Sequence, residues 1–82
     1  PEELGRVRAL CPDQVILIPG VGAQGGDLEA SVRNGVDSAG QRAIISASRQ
    51  ILYASRSEDY AEAARQATLR LRDAINAALV SR

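Results

Sequence analysis

Residues 15–27 read VILIPGVGAQGGD, a short apolar run that breaks into a proline and four glycines. Val15 to Ile18 is uncharged and largely β-branched, the composition of a strand buried on both faces in a parallel sheet. The glycines that follow give more backbone freedom than a turn around one glutamine requires. The loop therefore has a task beyond redirecting the chain. As a pattern, Gly20-Val21-Gly22-Ala23-Gln24-Gly25 satisfies G-x-G-x-x-G, the dinucleotide fingerprint. Three details oppose that reading. Pro19 separates strand from first glycine. Asp27 reads as the N-cap of a helix that begins only after the third glycine, where the fingerprint keeps that glycine inside. A carboxylate at the N-cap also stands where a pyrophosphate should bind.

Working outward, Pro1 to about Leu10 has the pattern of a helix, with proline at N1, acids in the first turn and Leu4, Val7 and Leu10 on one face. Pro12 ends it, because its ring disfavours a helical residue before it. Beyond the loop, Leu28 and Val32 give the inward face of a helix that runs to about Asn34, with Gly35 as its C′ residue. Ala43-Ile44-Ile45-Ser46-Ala47 reads as a second buried strand. A short helical turn over Arg49–Ala54 follows, and Ser57 then caps a long helix with Glu58 and Asp59 in its first turn. Tyr60, Ala64, Ala67, Leu71, Ala74 and Ala78 form its apolar stripe, widened by Ile75 and Leu79. Arg65, Arg70 and Arg72 fall on its solvated surface. The order α-β-α-β-short α-α predicts an α/β protein with parallel pairing and right-handed crossovers.

Composition narrows the chemistry. The 82 residues suffice for one small domain, and 45% are apolar against 24% charged, as in a soluble globular chain. Ten acidic residues balance ten basic ones, all of them arginine. Zero net charge with only Tyr53 and Tyr60 as aromatics speaks against a nucleic-acid surface. No run approaches the ~20 apolar residues of a membrane span, and no signal peptide is visible. Cys11 is alone, so no internal disulfide forms and a reducing cytoplasm is expected. With no His and one Cys, a zinc site is not expected and a Ser-His or Cys-His nucleophile pair cannot be built. A chain that starts without Met, and whose first helix lacks its cap, reads as a fragment or a processed product. Two strands alone also leave sheet edges and apolar helix faces open, so contact with further chain or self-association is expected.

One reading of the loop explains both of its ends. Many (β/α)8 barrels bind phosphate with the loops after strands 7 and 8 and the N-terminus of a short extra helix. Residues 19–26 follow the first strand, Ser48-Arg49 ends the second, and Arg49–Ala54 is the extra turn. Glycine-loop N–H groups can approach an anion closely. Gln24 can donate an amide hydrogen bond, and Arg49 can fork two N–H groups onto phosphate oxygens. For a dinucleotide, the same Ser48-Arg49 pair would suit a 2′-phosphate, and hence NADP.

The stretches ILIPGVGAQGGD (16–27) and AIISASRQILYA (43–54) strongly resemble the C-terminal quarter of orotidine 5′-phosphate decarboxylase, in its Ala- and Arg-rich bacterial branch. The resemblance covers nearly all of residues 1–82. It implies the last sector of a single (β/α)8 TIM barrel that converts orotidine 5′-monophosphate (OMP) to UMP without metal or organic cofactor. It implies that Gln24 and Arg49 hold the 5′-phosphate with help from Gly25, Gly26 and Ser48. Pro19, Gly20 and Val21 would line the pyrimidine and ribose side. The family's catalytic Asp and Lys residues belong to earlier strands, so none falls in this chain. The implied partners are OMP and UMP, the remainder of the barrel and a second subunit of a dimer. A barrel acting on another sugar phosphate remains the enzymatic alternative.

Overall fold

The structure, a computed structural model, describes residues 2–19, 25–47, 51–55 and 57–82, with residues 25–27 described through their backbone alone. Five elements follow in order: α1 (Glu2–Leu10), β1 (Ile16–Ile18), α2 (Gly25–Gly35), β2 (Ala43–Ile45) and α3 (Tyr60–Ser81). A further helical turn includes Ile51 and Leu52. The strands pair in parallel, with Ile16 opposite Ala43, Leu17 opposite Ile44 and Ile18 opposite Ile45. Helix α2 is the crossover between them, and it packs on α1, β1 and α3.

Strand alternation sorts the apolar residues. Ile16, Ile18, Ala43 and Ile45 turn towards the helices and join Leu28, Val32 and Ala78 in the core. Leu17 and Ile44 share the other face and are 62% and 55% exposed. The expectation of strands buried on both faces is therefore corrected. Among the described residues helices cover one face, and the apolar character of the other is left unused. Both strands are also shorter than expected, since Val15, Ser46 and Ala47 lie outside them.

The helices need corrections of the same kind. In α1, Val7 and Leu10 are exposed, and the residue that is buried is Arg8. In α3, Ala67 and Ala78 are buried, with Ala64, Leu71, Ile75 and Leu79 half-buried beside them. Tyr60 and Ala74 are exposed, so the stripe is narrower than the sequence suggested, while Arg65, Arg70 and Arg72 are solvated as expected. Ser57 does not cap α3. The N-cap is Asp59, whose side chain makes no capping bond and instead accepts the Ser55 hydroxyl through Oδ1 at 2.6 Å. Gly35 is the last residue of α2 instead of a left-handed C′ residue. Its value is close packing. A Cβ there would stand 2.5 Å from Ile18 Cδ1 and 3.3 Å from Leu4 Cδ2.

The turn between α2 and β2 is built on Asp37. Its Oδ1 accepts the N–H groups of Ala39 at 2.9 Å and Gln41 at 2.8 Å, and its Oδ2 accepts Arg42 Nε at 3.0 Å. The Gln41 N–H, with those of Ala39 and Arg42, favours the ionised carboxylate and holds it below its ordinary value of 3.8, against a smaller opposing effect of burial. A group whose folded value is depressed adds stability above its unfolded value and loses it as the pH falls. The turn is therefore expected to weaken as pH drops below 3.8. An acid titration followed by circular dichroism checks this: Asp37→Asn should flatten the low-pH decline, and an unchanged decline would exclude Asp37 as its source.

Candidate phosphate-binding site

Parallel pairing puts the C-terminal ends of β1 and β2 side by side. Ile18 stands opposite Ile45, and the ladder continues with Ser46 N–H donating to Ile18 O at 3.0 Å. Residues 19 and 47 therefore leave the sheet at one edge. Pro19 is exposed there, and Ser46 and Ala47 are half-buried. Gly25 and Gly26 open α2 as its first two residues. Their N–H groups are among the four at a helix start that lack an intrahelical acceptor, and they lie at the positive end of the helix dipole. An anion held by backbone N–H groups suits that position.

Of the residues singled out by sequence, Pro19, Gly25 and Gly26 lie in the described structure. Gly20, Val21, Gln24, Ser48 and Arg49 lie outside it. Residues 20–24 join Pro19 to the start of α2, and residues 48–50 join Ala47 to the turn at Ile51 and Leu52. One argument made from sequence is overturned here. α2 begins at Gly25, two residues before Asp27, so the third glycine of the G-x-G-x-x-G string is helical after all. Pro19 still separates that string from β1, the one departure that the structure leaves standing.

Other chemistry is sparse. Among the described residues no three His, Cys, Asp or Glu side chains cluster as metal ligands would. Cys11 is a free thiol beside the entry to β1, at the opposite end of the sheet from Pro19. No described helix is long and apolar enough to cross a membrane. The residue that sequence reasoning missed is Arg8, whose guanidinium donates to carbonyl oxygens from four parts of the chain. No periodic pattern marks it, because an arginine two positions from another arginine on a helix reads as solvated surface.

Over 77 residues the chain is 56% identical to the orotidine 5′-phosphate decarboxylase of Azoarcus sp., a match that takes in 94% of this chain and 28% of that protein. It is 56% identical over 79 residues to that of Roseiflexus castenholzii, covering 96% of this chain and 29% of the relative. With that of Ralstonia pickettii the identity is 54% over 76 residues, covering 93% and 28%. The chain thus spans under a third of the length of these curated relatives. No family model matches it, and no solved structure does.

Proposed function

Because this chain belongs by sequence to the orotidine 5′-phosphate decarboxylase family, we propose that it is the phosphate-holding sector of such an enzyme. The complete protein is a (β/α)8 barrel that converts OMP to UMP and carbon dioxide, and residues 1–82 form its C-terminal part. The observation that supports this most is the level ending of β1 and β2 at Ile18 and Ile45. It brings Pro19 and Ala47, which precede the two segments, out at one sheet edge, as a two-loop grip on one anion requires.

In this reading Gln24 donates its amide N–H and Arg49 its forked guanidinium to the 5′-phosphate, with the N–H groups of Gly25 and Gly26 and the Ser48 region beside them. Pro19, Gly20 and Val21 face the pyrimidine and ribose. Phosphate binding at a distance from the reacting carbon positions the ring and stabilises closed loops, so these residues affect rate without touching a bond that breaks. The intact enzyme works in the cytoplasm as a dimer, without a cofactor. A second reading, an NADP-binding βαβ unit, is favoured by the helical position of Gly25. It assigns Arg49 to a 2′-phosphate instead.

The test is Arg49→Ala in a complete barrel carrying these residues. It should remove charge-assisted bonds worth about 1.5–3 kcal/mol each. The loss should appear with OMP and hardly at all with the bare nucleoside orotidine. Equal losses for both would mean that Arg49 is structural. Binding of NADP in place of OMP would favour the second reading.

A further inference from the structure

The usual device for setting strand register is missing from β1. A slip of one residue normally carries an apolar set onto the solvent face, at large cost. In VILI (15–18) a slip of β1 exchanges one apolar side chain for another, whereas a slip of β2 would bring Arg42 or Ser46 to the place of Ala43 or Ile45. The ladder is also short, with three residue pairs. Another contact has to fix how far β1 stands along β2.

The guanidinium of Arg8 has that geometry. Nε donates to Gly35 O at 2.8 Å, at the end of α2. Nη1 donates to Cys11 O at 3.0 Å and Gln14 O at 2.7 Å, with a longer contact to Pro12 O at 3.4 Å. Nη2 donates to Arg42 O at 2.8 Å. Gln14 stands two residues before β1, and Arg42 immediately precedes β2. Arg42 O also accepts Ile16 N–H at 2.8 Å, the first bond of the ladder. One planar group thus spaces the end of α1, the entry to β1, the end of α2 and the entry to β2.

Two further facts mark this as a built junction. Arg8 is only 8% exposed, and its donors among the described residues go to carbonyl oxygens, so carbonyl dipoles compensate the buried charge. Arg42 has φ of 66°, in the left-handed region that a non-glycine residue enters at a cost. That backbone is held by the bonds to Arg8 and Ile16, by Arg42 Nε to Asp37 and by Nη1 to Asp13 O at 2.8 Å.

We propose that Arg8 is a positioning residue that pins the register of β1 against β2, and so levels the strand ends from which residues 20–24 and 48–50 depart. The inference rests on the reading of those segments as one phosphate grip. Arg8 touches no substrate, since the length of the strands separates it from that edge. A slip of one residue moves one strand end by about 3.3 Å along the other. Such a slip disturbs the close fit of Ile18 against Gly35 and also separates two loops that must meet one anion.

The test uses the full-length protein carrying this chain, with Arg8→Lys and Arg8→Gln. Lysine keeps the charge and glutamine keeps a donor, yet neither can reach carbonyls on four sides. Both variants should lower kcat/KM for OMP by about a hundredfold, the scale of a misplacement near 1 Å. For bare orotidine the change should stay within about threefold. Amide hydrogen exchange supplies a second readout. Ser46 N–H, bonded to Ile18 O at the far end of the ladder, should lose protection together with Ile16 N–H. A protected Ser46 with equal losses for both substrates would show that Arg8 only braces its surroundings, and would overturn the proposal. If the variants fail to fold, the wild type carries the test, because Arg8 Nε–H must then exchange as slowly as Ser46 N–H. Faster exchange at Arg8 means the ladder persists without it, and the proposal falls. A wild type that shows matched exchange but does not act on OMP would bring down the functional reading and leave the register inference standing.

Discussion

Residues 1–82 supplied alone with OMP are expected to yield no UMP above the uncatalysed background. Loss of carbon dioxide leaves a basic carbanion on the pyrimidine ring, and a catalyst has to meet it with preorganised positive charge and a proton donor. The chain has no Lys and no His, and its ten basic residues are all Arg. Guanidinium groups, with pKa above ~12, are poor proton donors at neutral pH. A phosphate grip of the kind proposed would by itself bind substrate and transition state about equally, which would leave the chemical barrier unchanged. Adding the remainder of the barrel as a separate chain should restore turnover, because it would supply the missing ammonium and carboxylate groups. The measurement is UMP formation by purified 1–82, with and without that complement. Turnover by 1–82 alone would sink the division of labour proposed here.

A second large effect is expected in the core. Among the described residues Val32 is the most deeply buried large side chain, 1% exposed, on the helix that packs against α1, β1 and α3. Val32→Ala removes two methyl groups at ~0.8 kcal/mol each and leaves a cavity, for a total of about 2 kcal/mol. That is a roughly thirtyfold change in the folding equilibrium. In a chain of this size it lowers Tm by about 10 °C. Leu17→Ala deletes more carbon from a residue that is mostly exposed here, and should cost less than about 0.5 kcal/mol. Thermal unfolding of the two variants side by side checks the contrast. If residues outside the chain cover the Leu17 face, Leu17→Ala will instead become as costly as Val32→Ala in the full-length protein.

Much of the fold was legible. Val15–Ile18 and Ala43–Ala47 stand out as uncharged β-branched runs, and both contain strands. Leu28 and Val32, four residues apart, gave the buried face of α2 correctly, since that spacing stacks side chains on one side of a helix. The boundaries were less legible. The N-cap pattern of Asp27 pointed to a helix start, yet α2 has already begun at Gly25. Ser57 has the same capping chemistry, but Ser55 engages Asp59 and α3 starts later. Such choices depend on which local acceptor wins, and short polar side chains offer several at once. Of the candidate site, residue types and their spacing were visible along the chain, while the shared edge of Ile18 and Ile45 became visible only through the pairing.

The sequence by itself determined the α/β order, the apolar strands, the glycine loop with Gln24, the Ser48-Arg49 pair and the resemblance to orotidine 5′-phosphate decarboxylases. Each is written within a dozen neighbouring residues, where periodicity and turn chemistry operate. Tertiary structure alone decided that Ile16 and Ile18 face the core while Leu17 does not, because a run apolar at every position carries no alternation to read. It alone decided that Arg8 is buried. That arginine receives its acceptors from Gly35 and Arg42, 27 and 34 residues away. A cation leaves water only where enough carbonyl oxygens converge on it, and convergence over such separations is a property of the folded chain.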